Sequence, residues 1–394
     1  MMYLLVFIFL LLLSVFFDFL QVKGPKKFFY YLSMIILILI AGLRWKVGGD
    51  SITYQSRFET LIYPIDQFFN IRFLEIGWEP GYILINSIAK SIVSEFWFFQ
   101  LIHASFVNII IFRFFKRYTP YYFTAVLFYS FFYYFYFNME ILREIIPVCI
   151  FAGFMYPAME KKEYKKYYII NIILLLFHNS SVILLLIPFL SKLRLNRKGI
   201  GILIISGFAI MSVFTFFPTL GSFIAITETM STKFSAYSRY SLSINGMIYN
   251  FLIFALFPYC LVYLNKRYFK VVPFESLIFP YFFIISIYIP YSGFGRLINY
   301  FGLFMVVFLV NTLYLAMNVR RFDKARFLVI SMLVIGPILY KYQFYSADTS
   351  KYYKDTIKGN LWYPYSSVFE KTEYQFRQII FQEGMNESSD KVKK

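Results

Sequence analysis

The sequence predicts an all-α, polytopic transmembrane helical bundle of about ten spans. Three observations carry that reading. Of 394 residues, 59% are hydrophobic and only 15% are charged, whereas a soluble domain carries about a quarter charged residues and could not cover a globule with so little polar surface. The apolar residues fall in runs of near-membrane length. Between the runs lie short Lys/Arg clusters, which place the net charge of +18 where cytoplasmic loops and anionic headgroups meet. A soluble enzyme and a disordered chain are excluded. No basic stretch joins a groove-binding pattern to a folded soluble domain, so nucleic acid is not an expected partner.

The first run, 2–20, lacks a basic n-region and a small-residue cleavage pattern and reads as a retained helix. Further spans are expected near 28–43, 97–112, 120–137, 141–157, 199–217, 247–264, 275–291, 297–316 and 327–344. Basic clusters beginning at Lys23, Arg113, Lys161, Lys192, Lys266 and Arg320 are assigned to the cytoplasmic side. Outer loops are then expected at 44–79 and 218–246, with short ones at 138–140 and 292–296. Residues 1–345 form the transmembrane domain and 346–394 an extracytoplasmic tail, folded against the outer face to about Phe369 and disordered from Glu383.

Parity adds two elements. Only one crossing fits between the loop at 44–79 and the cluster at Arg113, so the polar-spotted stretch Tyr82–Val93 is expected to be an outer interfacial helix. Tyr167–Leu190 is flanked by basic clusters at both ends and interrupted by Phe177-His178-Asn179-Ser180-Ser181. Polar backbone at membrane depth must be buried in protein or line a wet cavity, which predicts a re-entrant hairpin with His178 at its tip. One long span with a polar middle is the alternative. Cys149 and Cys260 both lie in apolar runs, where no disulfide framework is expected.

Several polar residues stand out against this background. Arg44, at the exit of a helix, precedes Gly48-Gly49-Asp50 and Tyr54; it is an interfacial anchor or a bidentate ligand for an anion. Glu79 opens a helix before Pro80 and beside Trp78, as a cap, a general base or a sugar ligand. Arg143 is expected about one turn inside a span, flanked by Glu140 and Glu144, which could neutralise it. Arg296 follows Gly293-Phe294-Gly295 at a helix mouth, with Asn299 and Tyr300 a turn further in. Arg44, Arg143 and Arg296 together suit a large anion such as a lipid-linked diphosphate, and Asp50, Glu79 and His178 supply acid–base groups. No metal-ligand spacing is apparent in the outer loops, so neither a metal nor another cofactor is required.

These residues, in this order, resemble the EpsG family, a branch of the Wzy-type exopolysaccharide and O-antigen polymerases. The likeness rests on Arg44 with Gly48-Gly49-Asp50 and Tyr54, Glu79-Pro80-Gly81-Tyr82, Arg143, Phe177-His178-Asn179-Ser180, Arg296 with Tyr300-Phe301, and Tyr363-Pro364-Tyr365. It spans about 28–369. At the third motif the family commonly has a Gly-Ile-Arg-Gln type run, where this chain has Glu140-Ile-Leu-Arg143-Glu144. The resemblance implies a GT-C-like fold in the bacterial plasma membrane with an outward-facing site and no metal or nucleotide sugar. It implies a capsule- or exopolysaccharide-forming glycosyltransferase that moves a growing glycan from undecaprenyl pyrophosphate to another lipid-linked repeat. The flippase and the chain-length regulator of the same pathway are implied partners, and membrane lipid is the surroundings.

In that reading Arg143, Arg296 and then Arg44 grip the leaving diphosphate, Trp78, Tyr54 and Tyr300 contact substrate, and His178, Glu79 or Asp50 is the base. The alternatives are a lipid-linked-glycan flippase or transporter, and a surface-glycan ligase or acyltransferase. A flippase would show repeat symmetry, which the sequence lacks. An acyltransferase usually needs a His in a cytoplasm-facing tunnel.

Overall fold

The computed structural model describes residues 2–193, 197–216, 244–289, 294–318, 361–374 and 377. Among them every regular element is helical and no β-strand forms. The elements are α1 (Met2–Leu13, running on as wider π turns to Phe19), α2 (Lys26–Gly42), α3 (Gly49–Thr60), α4 (Phe73–Ile76), α5 (Pro80–Ile92), α6 (Phe96–Tyr118) and α7 (Tyr122–Phe132). They continue with α8 (Ile145–Ile150), α9 (Tyr156–Glu160), α10 (Tyr164–Leu175), α11 (Ile187–Leu190), α12 (Arg197–Phe216), α13 (Ile244–Asn250), α14 (Phe257–Leu264), α15 (Ile278–Tyr288) and α16 (Gly295–Asn318). By length and composition, Met2–Phe19, Phe96–Tyr118, Gly246–Phe269 and Gly295–Met317 can each cross a membrane. Helices also lie within or overlap the expected spans at 28–43, 120–137, 141–157, 199–217 and 275–291, as Lys26–Gly42, Tyr122–Phe132, Ile145–Glu160, Arg197–Phe216 and Glu275–Tyr288. The expected span at 327–344, residues 218–243 of the expected loop at 218–246 and the terminus from Glu383 lie outside the described residues, while 244–246 already belong to a helix.

The chain divides into two compact units, one holding residues up to Val182 with the 361–377 segment, the other holding Ile183 onward through α16. In the first, α2 packs along α6 and α1 along α7. Its helix ends are finished by distant side chains, with no side-chain cap from the N-cap residues of α2, α3, α5 or α7. Asp18 Oδ2 accepts from the Thr124 N–H at 2.7 Å and its hydroxyl at 3.0 Å, stopping the start of α7. The Lys90 ammonium donates to the carbonyls of Phe58, Glu59 and Ile62, closing the far end of α3. Burial there pushes its pKa down.

The position of Arg143 differs from the expectation. The helical run that includes α7 stops at Glu140, Leu142–Glu144 form a turn, and helix resumes only at Ile145, so Arg143 precedes a helix rather than lying a turn inside one. Buried polar side chains hold this break. Asn138 donates to the Tyr129 hydroxyl at 2.7 Å and accepts from Asn108 at 2.8 Å. His103 Nε2 lies 2.7 Å from the Leu142 carbonyl, which the broken helix leaves without its usual partner.

α5 has 13 residues, about 20 Å at 1.5 Å per residue, shorter than a hydrocarbon core. It turns Tyr82, Ile83, Asn86 and Ser87 inward and leaves Leu84, Ile88 and Ile92 exposed. The predicted hairpin region also consists of short pieces: α10 ends at Leu175, the polar motif breaks it, and 3₁₀ turns over Asn179–Leu185 follow. The 361–374 segment lies along the turn after α2. Val368 N donates to Leu43 O, Trp45 N to Ser366 O and Gly48 N to Leu361 O, with Arg44 and Ser367 paired antiparallel.

In the second unit, Asn265 donates to Thr312 at 2.7 Å, and Tyr281 packs edge-on against Phe301 with centroids 5.6 Å apart.

Candidate functional site

The start of α5 is where four of the sequence motifs meet. Pro80 occupies the first helical position, where its missing N–H costs nothing. Gly81 follows, and its N–H donates to the Leu176 carbonyl at 2.7 Å. A Cβ at Gly81 would sit 2.7 Å from that oxygen, so only glycine lets α5 touch the broken end of α10 this closely. The approach sets Glu79 between two partners. Its Oε2 takes a hydrogen bond from the Arg143 guanidinium at 2.7 Å, and its Oε1 accepts the Asn179 N–H at 3.3 Å.

Arg143 also donates from Nε to the Tyr54 hydroxyl at 3.3 Å. The Arg143 and Glu79 side chains are 19% and 11% exposed, so the pair is largely withdrawn from water yet retains an opening. Beneath it Tyr54, Trp78 and Tyr82 form a buried aromatic cluster with centroids 5.1–6.0 Å apart. Phe58, Phe96, Phe99 and Leu142 extend that core, and Phe177 packs against it.

His178 is buried at the end of the α10 break. Its Nδ1 accepts the Ser180 N–H at 3.2 Å and lies 2.7 Å from the Ser180 hydroxyl. A backbone N–H can donate only to an unprotonated ring nitrogen, so the neutral ring carries its proton on Nε2. The arrangement presents His178 as a donor through Nε2.

Other expected residues have different settings. Arg44 is 1% exposed, and its guanidinium donates to the carbonyls of Val47 and Ala41, closing the end of α2. Burial pushes its pKa down to about 10, against the pull of Glu140. It braces this turn. Trp78 is 6% exposed, with the Arg57 guanidinium 5.6 Å from its ring centroid; its face is packed in the core instead of being open to a sugar. Asp50 is exposed in the first turn of α3, one turn before Tyr54. In the second unit Arg296 is exposed and Tyr300 is fully buried.

Glu140 does not neutralise Arg143, as its spacing suggested; Glu79 does. The Glu140 carboxylate instead takes the N–H groups of Gly49 and Asp50, both at 3.0 Å, at the start of α3. Burial raises its pKa, and those two N–H groups pull it back. Sequence reasoning also passed over Gly81, Asn179 and Arg57. The first two stand inside motifs already singled out, and Arg57 lies three residues after Tyr54, the spacing of neighbours on one helix face.

The model of the EpsG family matches residues 27–367. The chain belongs to the EpsG family. No curated protein and no solved structure matches it. Membership assigns this EpsG-family chain to exopolysaccharide-related polymerase chemistry of a glycosyltransferase type, and its apolar helices mark it as a membrane protein. The matched span contains every element of the Tyr54–Glu79–Arg143–His178 cluster.

Proposed function

We propose that this EpsG-family protein polymerises lipid-linked oligosaccharide repeats at the outer face of the bacterial plasma membrane. The growing glycan leaves undecaprenyl pyrophosphate and joins a sugar hydroxyl of a second lipid-linked repeat. The observation that carries the reading is the partly open Arg143–Glu79 pair, held on Tyr54 and on the Asn179 turn. As the anomeric C–O bond breaks, negative charge grows on the diphosphate. A fixed guanidinium stabilises that charge, and losing one such donor costs about 3 kcal/mol of barrier. An incoming diphosphate competes with Glu79 for Arg143. The displaced carboxylate then stands beside the acceptor with its charge uncompensated, ready to take the hydroxyl proton. His178 Nε2–H donates to the same leaving group or to a sugar oxygen. Asp50 is an alternative base in this proposal.

The test is reconstitution in proteoliposomes with a polyprenyl-diphosphate-linked repeat as sole substrate. Polymer longer than the repeat, with release of polyprenyl diphosphate, supports the reading. Movement of intact repeats between leaflets without polymer would replace it with the flippase.

A further inference from the structure

Glu140 lies three residues before Arg143, and its carboxylate spans the first two N–H groups of α3, Gly49 and Asp50, at 3.0 Å each. One turn into α3 stands Tyr54, whose hydroxyl receives the Arg143 Nε hydrogen. Two segments about ninety residues apart are thus joined twice, by Glu140 to the helix start and by Arg143 to the helix side. Gly48 makes the first join possible: its φ is +99°, and a Cβ there would sit 3.0 Å from Glu140 Oε1. On its other side the same turn is held by Leu361 O, which accepts the Gly48 N–H at 2.8 Å. A carboxylate has only acceptors, and both N–H groups need one. Glutamine would turn a donor toward one of them, and aspartate would fall short of both by about one bond length.

We propose that Glu140 is a positioning residue: by clamping the start of α3 it sets the register in which Tyr54 meets Arg143. It acts through those two side chains and not on substrate. The role rests on the polymerase reading only for its activity assay.

Two measurements test it on the full-length protein in proteoliposomes. Hydrogen exchange, which needs no activity, should be about tenfold or more faster in Glu140→Gln, both for the first turn of α3 and for residues 141–146. Unchanged exchange in either segment overturns the proposal. In the polymer assay, Glu140→Gln and Tyr54→Phe should each lower kcat with little change in KM. The double variant should be no slower than the worse single one. Losses that multiply overturn the proposal. Asp18→Asn removes the cap at the start of α7, the opposite end of the helical run from Glu140, and its loss should multiply with that of Tyr54→Phe. If Glu140→Gln does not fold, Glu140→Asp takes its place in both measurements with the same expected outcomes. A wild type that makes no polymer would remove the polymerase reading, while hydrogen exchange still decides the role of Glu140.

Discussion

Arg44 and Arg143 carry the same side chain and look alike in sequence, yet one is enclosed and the other faces an opening. What separates them is the partner. Arg44 meets carbonyls on its own turn, and Arg143 meets a carboxylate 64 residues away. No local pattern encodes that second distance, so the motif at Arg143 was legible but its counter-ion was not. Arg143→Ala should insert normally and lose about a hundredfold or more of its polymerisation rate, and Arg143→Lys should recover little, since its single nitrogen cannot stand at both positions from which Nε and a terminal nitrogen reach Tyr54 and Glu79. His178→Gln, which can keep an N–H in place of Nε2, should retain far more polymer than His178→Ala; equal loss would return the ring to the role of base.

Helix pairs tell a similar story at the next scale. The hydrophobic runs placed the helices well because the need to bury backbone polar groups in lipid leaves few alternatives. The breaks were harder to place. The stop at Glu140 and the turn to Ile145 depend on Asn108, Asn138 and His103 meeting across helices, and no run length contains that information. The break at His178 was legible because the polar motif interrupts an apolar run. The contact between α5 and the end of α10 is held by one glycine. Gly81→Val places carbon where the Leu176 oxygen lies, which should destabilise the protein by about 1–3 kcal/mol. It should also abolish polymer by moving Glu79 off Asn179. Thermal unfolding and the polymer assay check the two effects separately, and wild-type values in both would refute the contact.

Across the whole molecule, composition, the length of the apolar runs and the basic clusters between them predicted a membrane-embedded all-α chain, and the ordered motifs pointed to the EpsG family, whose model spans 27–367. Four motifs that are far apart in sequence converge at Tyr54, Glu79, Arg143 and the His178 turn. Of the three arginines expected to grip a diphosphate, Arg143 is paired with the Glu79 carboxylate and Arg44 with carbonyls of its own turn. In cells, deletion should leave single lipid-linked repeats on the outer leaflet; accumulation on the inner leaflet would favour the flippase. The central claim is tested most directly by a structure with a bound polyprenyl-diphosphate analogue. The account predicts phosphate oxygens on the Arg143 guanidinium and Glu79 turned away from it toward the acceptor side. A diphosphate bound elsewhere, with the Glu79–Arg143 pair undisturbed, would contradict it.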